Sequence, residues 1–361
     1  MTSTPPPALV VTTISLVNAV LRTLSEGARA AGWRFVVIGD TKSPAVFELD
    51  GAEFYSVAAQ LERPFAYARA CPTRHYCRKN IGYLEAVRGG APFIVETDDD
   101  NIPRAEFFGP RRREARAERL AGCGWVNVYR YFGDSDVWPR GLPLDRVRTD
   151  PPTLGPAAMA DCPIQQGLAD DNPDVDAVYR LVRPLPITFR RRGTPVALGP
   201  GAWCPFNSQN TTFYPDAYPL LYLPALCSFR MTDIWRSFVA QRVAWANGWS
   251  VLFHDATVRQ ERNEHNLMRD FEDEVPGYLH NAAIARCLDG LDLAAGTGRV
   301  ADNVRACYRA LVAGKFLPEG ELPLLDAFLS DLAGLQSSAP VVVTGSRAPA
   351  ASSATGGGPR A

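Results

Sequence analysis

The densest chemistry in this chain is the run Glu96-Thr97-Asp98-Asp99-Asp100-Asn101, which follows the apolar stretch Pro92-Phe93-Ile94-Val95. Three consecutive carboxylates repel one another when ionised at close quarters. A divalent cation relieves that repulsion. An all-oxygen ligand set suits Mg²⁺ or Mn²⁺, with phosphate oxygens completing the shell. Asp98 and Asp100 alternate, so at a strand end they face the same way. They are the candidate metal ligands, with Asp99 between them. A solvated acidic turn is the plain alternative, and the place after a buried strand favours the metal. His254-Asp255 follows the strand-like run Ser250–Phe253, which makes His254 the candidate third ligand. His75, His265 and His280 have no comparable context.

Basic and polar groups accompany these acids. Arg78-Lys79-Asn80 opens a helical stretch over 76–88, and positive charge at a helix start suits phosphate. Arg111-Arg112-Arg113 lies in the charged stretch 104–119, which reads as an exposed helix face. Between 170 and 176 stand Asp170, Asp171, Asp174 and Asp176, ahead of a short helix over 177–182. Helix capping explains one or two of these four. Asn207-Ser208-Gln209-Asn210-Thr211 is a run of amides and hydroxyls suited to sugar hydroxyls or to a turn. Thr232-Asp233 introduces a helix over 233–245, so Asp233 is a first-turn acid or a catalytic carboxylate. Trp235, Trp245 and Trp249 stack on a sugar or pack in the core, and core packing is expected for two of the three.

The elements that must position these groups follow from hydrophobic patterning. Ala8–Ile14 reads as a buried strand, 17–31 as a helix, Phe35–Ile38 as a second buried strand, and 92–96 as a third. That rhythm predicts an open α/β sheet with helices on both faces. Ligands in such sheets bind outside the carboxyl ends of strands. Those ends carry Thr12-Thr13-Ile14, Gly39-Asp40-Thr41-Lys42 and Thr97–Asn101. Strand-like runs also occur at 125–131, 186–190 and 220–226. Residues 133–173 look irregular, and 277–335 look helical throughout.

The whole chain bounds these readings. It has 361 residues, with 38 Lys plus Arg against 39 Asp plus Glu, so the net charge of −1 excludes a general nucleic-acid binder. No secretory leader and no apolar run long enough to span a bilayer is visible, so a soluble cytoplasmic protein is expected. The eight cysteines form no CxxC pair and read as reduced, mostly buried thiols. Residues 1–7 and the Ser/Ala/Gly/Pro-rich stretch 336–361 read as disordered ends.

Several blocks together resemble the STELLO-type glycosyltransferase-like family, and more distantly the reversibly glycosylated polypeptides, which are UDP-arabinopyranose mutases. They are Val37–Pro44, Arg78–Tyr83, Glu96–Asn101, Gln165–Asp170, Asn172–Leu181, Pro205–Thr211 and Arg230–Trp245. The match to the mutases is confined mainly to the aspartate motifs. Plant members of the STELLO-type family carry an amino-terminal membrane anchor, for which this sequence shows no candidate. Gln241-Arg242-Val243-Ala244-Trp245 is similar to the Gln-x-x-Arg-Trp motif of processive polysaccharide synthases, with the arginine displaced, so processivity is not supported.

The resemblance implies a GT-A fold over 8–275, with a nucleotide-binding half (8–131) and an acceptor half (132–275), then a helical extension over 276–335. It implies a DxD-type motif at Asp98 and Asp100 holding Mn²⁺ or Mg²⁺ and the donor diphosphate. Thr12, Thr13, Ile14, Asp40, Lys42, Arg78, Lys79, Asn80, Asp98 and Asp99 would bind the nucleotide-sugar. Asp233 would be the general base. Asp174, Asp176, Asn207, Gln209, Asn210, Thr232, Trp235 and Arg236 would meet the sugar or acceptor. The implied activity is transfer from a UDP-sugar to a glycan or other hydroxyl acceptor. A nucleotide-sugar mutase or a non-catalytic assembly protein for polysaccharide synthesis is the alternative. The implied place is the cytoplasm, at the periphery of a membrane-associated glycan assembly. The helical extension either covers the site or forms a homodimer.

Overall fold

The computed structural model describes residues 4–133, 136–261 and 266–338. His265, residues 1–3 and residues 339–361 lie outside the described residues. The amino-terminal half runs β1 (Ala8–Thr13), α1 (Ala19–Ala30), β2 (Arg34–Gly39), β3 (Ala52–Tyr55), α2 (Val57–Leu61), α3 (Ala66–Ala70), α4 (Lys79–Arg88) and β4 (Ile94–Thr97). β5 (Asn101–Pro103), β6 (Glu114–Leu120), β7 (Gly124–Trp125), α5 (Tyr129–Phe132), β8 (Ala158–Asp161), β9 (Ile164–Asp170) and α6 (Ala177–Val182) follow. Then come β10 (Val196–Leu198), β11 (Ala202–Trp203), β12 (Asn210–Phe213), α7 (Thr232–Ala246) and β13 (Val251–Gln260). Three helices close the chain: α8 (Leu267–Asp289), α9 (Val300–Ala313) and α10 (Glu321–Ser338).

Ten strands form one sheet in the order β3-β2-β1-β4-β12-β9-β13-β10-β6-β8, with β5 added on β13. β3, β2, β1 and β4 are mutually parallel. β12 runs antiparallel to both β4 and β9, so β9 again points the same way as β4. The carboxyl ends of β1, β2, β4 and β9 therefore share one edge, and the segment leading into β12 starts there. The strands are continuous apolar runs because helices cover both faces. Val10, Val36 and Ile38 pack beneath α4, while Leu9, Val11, Phe35 and Val37 pack beneath α1. Asn18 caps α1 by accepting from the Leu21 amide. Gly82 lets α4 approach the sheet, since a Cβ there would stand 2.6 Å from Val10 and 2.9 Å from Ile38.

The carboxyl-terminal helices belong to the same core. Val304, Leu325 and Phe328 pack with Ile81 and Leu84. The buried Glu321 carboxylate accepts from the Tyr222 hydroxyl and from the amides of Ala225 and Leu226. Asp331 accepts from the Ala66 and Tyr67 amides and so caps α3. No helix among the described residues is long and apolar enough to cross a membrane. Five of the eight cysteines are buried, and all are free.

Several sequence expectations need correction. The stretch 104–119 is not one charged helix but a short 3-10 helix (Ala105–Phe108), a loop and the strand β6, and Arg111 stacks over Trp33 and Phe107. Burial pushes its guanidinium down to about 10. The run 125–131 splits between a two-residue strand and the turn of helix α5, and 186–190 contributes one isolated bridge, at Ile187. Residues 215–221 form a 3-10 helix, and no strand covers 220–226. Within the stretch read as irregular lies β9, an inner strand whose residues are all buried. Pro7 accepts from the Arg34 amide, tying the first described residues to β2. α10 runs to Ser338, into the stretch expected to be a tail.

Candidate active site

A cleft of about 520 Å³ opens at the shared strand edge. One wall holds Thr12, Thr13 and Ile14 at the end of β1, Asp40 and Lys42 after β2, and Asp98, Asp99 and Asp100 after β4. The other wall holds Asp174, Asn207, Gln209 and Asp233. These residues, far apart in sequence, meet because their strands end at one edge and α7 starts beside it.

The three aspartates have different surroundings. Asp98 Oδ1 accepts from the Tyr76 hydroxyl at 2.6 Å and from Lys79 Nζ at 3.0 Å. Asp99 accepts from the Thr13 hydroxyl at 2.5 Å, and its carbonyl accepts from Asn18. Burial, with Asp98 adding to it, raises the Asp99 carboxyl above its usual value against the opposing Thr13 hydrogen bond. Asp100 Oδ2 accepts from Gln260 at 3.0 Å. Asp40 accepts from the amides of Thr41 and His75, which pins the loop carrying Tyr76 against the end of β2.

On the opposite wall Arg140 is buried between two acids. Its Nε and Nη2 reach Asp174 at 2.8 and 2.9 Å, and Nη2 reaches both Asp233 oxygens at 3.0 and 2.9 Å. Its Nη1 donates to the Arg230 carbonyl. Burial alone would lower the Arg140 pKa, but Asp174 and Asp233 outweigh it and hold it well above its usual value. The Ser208 amide donates to Asp233 Oδ2 at 3.3 Å, and the Ser208 hydroxyl oxygen lies at the same distance from it. The carboxylate is thus held from two sides at the start of α7.

Other predicted residues support the cleft from outside it. Lys79 is fully buried beneath Asp98 and also donates to the Thr97 and Ser208 carbonyls. Asn80 bonds Tyr67 and Leu223. Arg78 reaches the cleft wall, but its guanidinium donates to Gln60 and to the Cys71 carbonyl. The helix start at 78–80 is therefore a structural floor, because its charged ends turn inward to partners already present. Asp176 caps α6 and accepts from Trp138. Asn210 bonds the Leu168 carbonyl and Thr257. Thr232 is buried at the start of α7, against Cys227. Trp235 donates to Asn281 in the core, and Trp245 packs on Trp203. Arg236, 1% exposed, is held by Glu96. None of these seven (Lys79, Asn80, Asp176, Asn210, Thr232, Trp235, Arg236) lines the cleft.

His254 is the clearest correction. It sits opposite Gly167 in the middle of β13, outside the cleft, whereas Gln260 at the far end of the same strand is what reaches Asp100. Its ring packs where a Cβ on Gly167 would stand 2.7 Å away. Burial, aided by Arg111, pushes its pKa down to about 4, which fits a neutral packed imidazole.

Four contributors escaped sequence reasoning: Tyr76, Arg140, Arg74 and Gln260. Ser208 lay inside the amide run already singled out. Arg140 sits in a Pro/Gly-rich loop, where no pattern marks an ion-paired arginine. Arg74, at a positive φ of 57°, lines the cleft with Lys42, and neither makes an ion pair with a described residue.

A mixed α/β sheet with a carboxylate-lined cleft at its parallel strand ends, closed by helices, defines a Rossmann-like fold of the GT-A glycosyltransferase type. Residues 230–357 match the family model for STELLO glycosyltransferases. A 267-residue stretch is 32% identical to the probable glycosyltransferase STELLO2 of Arabidopsis thaliana, covering 67% of this chain and 34% of that protein. A 275-residue stretch is 29% identical to the probable glycosyltransferase STELLO1 of the same plant, covering 68% and 35%. The chain belongs to the STELLO-type family. It spans about a third of the length of these curated relatives. A solved structure described as a mycobacterial protein shares 9% identity over 77% of this chain and 75% of that one, at a TM-score of 0.36, and bears on neither fold nor function.

Proposed function

We propose that this chain is a metal-dependent glycosyltransferase, moving a sugar from a UDP-sugar to an acceptor hydroxyl. The observation that carries the reading is a single cleft with Asp98 and Asp100 on one wall and a firmly held Asp233 on the other. Among the described residues no group of three or more His, Cys, Asp or Glu could hold a metal alone. Asp98 and Asp100, both on the cleft wall, would share the shell with the oxygens of a bound diphosphate, a donor chemistry that suits Mn²⁺ or Mg²⁺. When bound, the cation supplies charge neutralisation to the leaving nucleoside diphosphate.

The chain's own residues do the rest. Lys42 and Arg74 add positive charge beside the diphosphate. Asp233 takes the proton from the acceptor hydroxyl as its oxygen attacks the anomeric carbon and the bond to the diphosphate breaks. Arg140 and the Ser208 amide fix the direction in which the Asp233 carboxylate points. Asn207 and Gln209 offer amides to sugar hydroxyls. Titration calorimetry with UDP and Mn²⁺ tests the donor side, and Asp98→Ala with Asp100→Ala should abolish the heat. Asp233→Asn should keep UDP binding and lower transfer about 10²–10⁴-fold. Wild type that binds no nucleoside diphosphate in the presence of Mn²⁺ sinks the proposal. Ring-form interconversion of a UDP-sugar without acceptor would replace it with the mutase reading.

A further inference from the structure

The donor wall and the acceptor wall are joined by side-chain hydroxyls. Tyr76 Oη lies 2.6 Å from Asp98 Oδ1 and 2.7 Å from Ser208 Oγ. Ser208 Oγ lies 3.3 Å from Asp233 Oδ2. Lys79 Nζ stands 2.5 Å from Tyr76 Oη, and an ammonium has only protons to give. Tyr76 therefore accepts from Lys79 and has one proton left for two neighbours. Ser208 likewise has one proton for two neighbours.

Two hydroxyl protons must serve three junctions: Asp98–Tyr76, Tyr76–Ser208 and Ser208–Asp233. One junction is always without its proton. The distances identify which. The first two are short and the third is long, so in this structure the chain runs from Ser208 to Tyr76 to Asp98. The reverse polarity runs from Tyr76 to Ser208 to Asp233 and withdraws the phenol proton from Asp98.

We infer that Tyr76 and Ser208 form a two-state hydroxyl relay, which makes cation occupancy at Asp98 and hydrogen bonding at Asp233 depend on each other. This rests on the glycosyltransferase reading of the same cleft. A cation on Asp98 competes with the phenol proton. Reversal then passes the Ser208 proton to Asp233, so the loss on one wall is offset by a gain on the other. Tyr76 and Ser208 are positioning residues. Loading of the donor wall adds the Ser208 hydroxyl to the groups that already hold Asp233 before an acceptor arrives, an ordering that disfavours premature attack by water.

Mn²⁺ affinity, measured by calorimetry at a fixed saturating UDP concentration, tests the relay. Six proteins are needed: wild type, Asp233→Ala, Ser208→Ala, Tyr76→Phe, and Asp233→Ala combined with each of the last two. Asp233→Ala removes the acceptor that rewards reversal, so it should weaken Mn²⁺ about tenfold in the wild-type background. The same change should cost less than about twofold once Ser208→Ala or Tyr76→Phe has cut the relay. Direct charge effects of Asp233 on the cation are equal in both backgrounds and drop out of the ratio. Two different cuts guard against one variant failing to fold, which thermal unfolding reports. Equal factors in cut and uncut backgrounds overturn the relay and leave the glycosyltransferase reading standing. A wild type that takes up no Mn²⁺ overturns both.

Discussion

Glu96→Gln should lower the melting temperature sharply while leaving the cleft's chemistry in place. Glu96 and Arg236 are both sealed from solvent, and the guanidinium meets the carboxylate at 2.9 and 2.6 Å. Tyr83 donates to the same carboxylate, and Arg236 reaches the Asn207 carbonyl at 3.2 Å. Arg236 Nε has no hydrogen-bond partner among the described residues, so the buried charge depends on Glu96. Burial alone would lower the Arg236 pKa, but Glu96 outweighs it and raises it. Removing one partner of such a pair costs about 3–5 kcal/mol, because the other charge stays buried. A folded unit of about 330 residues unfolds with an entropy near ~0.7 kcal/mol/K, which converts that loss to a melting temperature about 4–7 °C lower. Scanning calorimetry measures it directly. Glu96→Leu with Arg236→Met should recover most of the loss, since no charge is then stranded. A melting temperature for Glu96→Gln within about 1 °C of wild type would refute the reasoning, since the expected loss is several degrees. It would also return Arg236 to the acceptor role its sequence position suggested.

Three further outcomes follow from other contacts. His254 is neutral in the fold, its pKa pushed by burial down to about 4 from the usual 6.5, so the unfolded chain binds the extra proton between those values. Its contribution is full above pH 6.5 and fades as pH falls toward 4; wild type should therefore lose about 2–3 kcal/mol more than His254→Gln between pH 7 and pH 4.5 in urea titrations. Gly82→Ala should cost about 1–3 kcal/mol by the same measurement, because the new methyl meets Val10 and Ile38 across a helix–sheet contact with no room to open. Asp331→Ala should remove the cap on α3 and cost about 1 kcal/mol, seen as faster hydrogen exchange at 66–70 with little change in β1 or β4.

What the sequence made legible was whatever a residue signals through its near neighbours. The apolar runs of β1, β2 and β4 announced buried strands, and the polar residues at their ends announced the edge where a ligand belongs. The helix after Thr232 and the cap at Asp176 were readable for the same reason. β9 was not, because Gln165, Gln166 and Gly167 interrupt its apolar pattern. It is central only because β12 and β13 flank it on both sides. β6 was misread because its charged residues alternate around small ones, and a short edge-side strand carries little hydrophobic signal.

The same distinction separates the two kinds of charged residue at the cleft. Arg78, Lys79 and Arg236 looked like ligand contacts because a charge in an apolar context implies an unmet partner. Their partners were simply distant in sequence: Gln60, Asp98 and Glu96 lie 18, 19 and 140 positions away. Arg140 shows the converse. It gave no signal, yet its two partners, 34 and 93 positions on, make it the residue that orients Asp233. A charge whose needs are met inside the protein builds the site, and one left without a protein partner is available to a ligand. By that criterion Lys42 and Arg74, which make no ion pair with a described residue, rather than the helix start at 78–80, would be the cations to meet the proposed diphosphate. Replacing both with methionine should weaken UDP binding at constant Mn²⁺ about tenfold or more, whereas Arg78→Met should lower stability first.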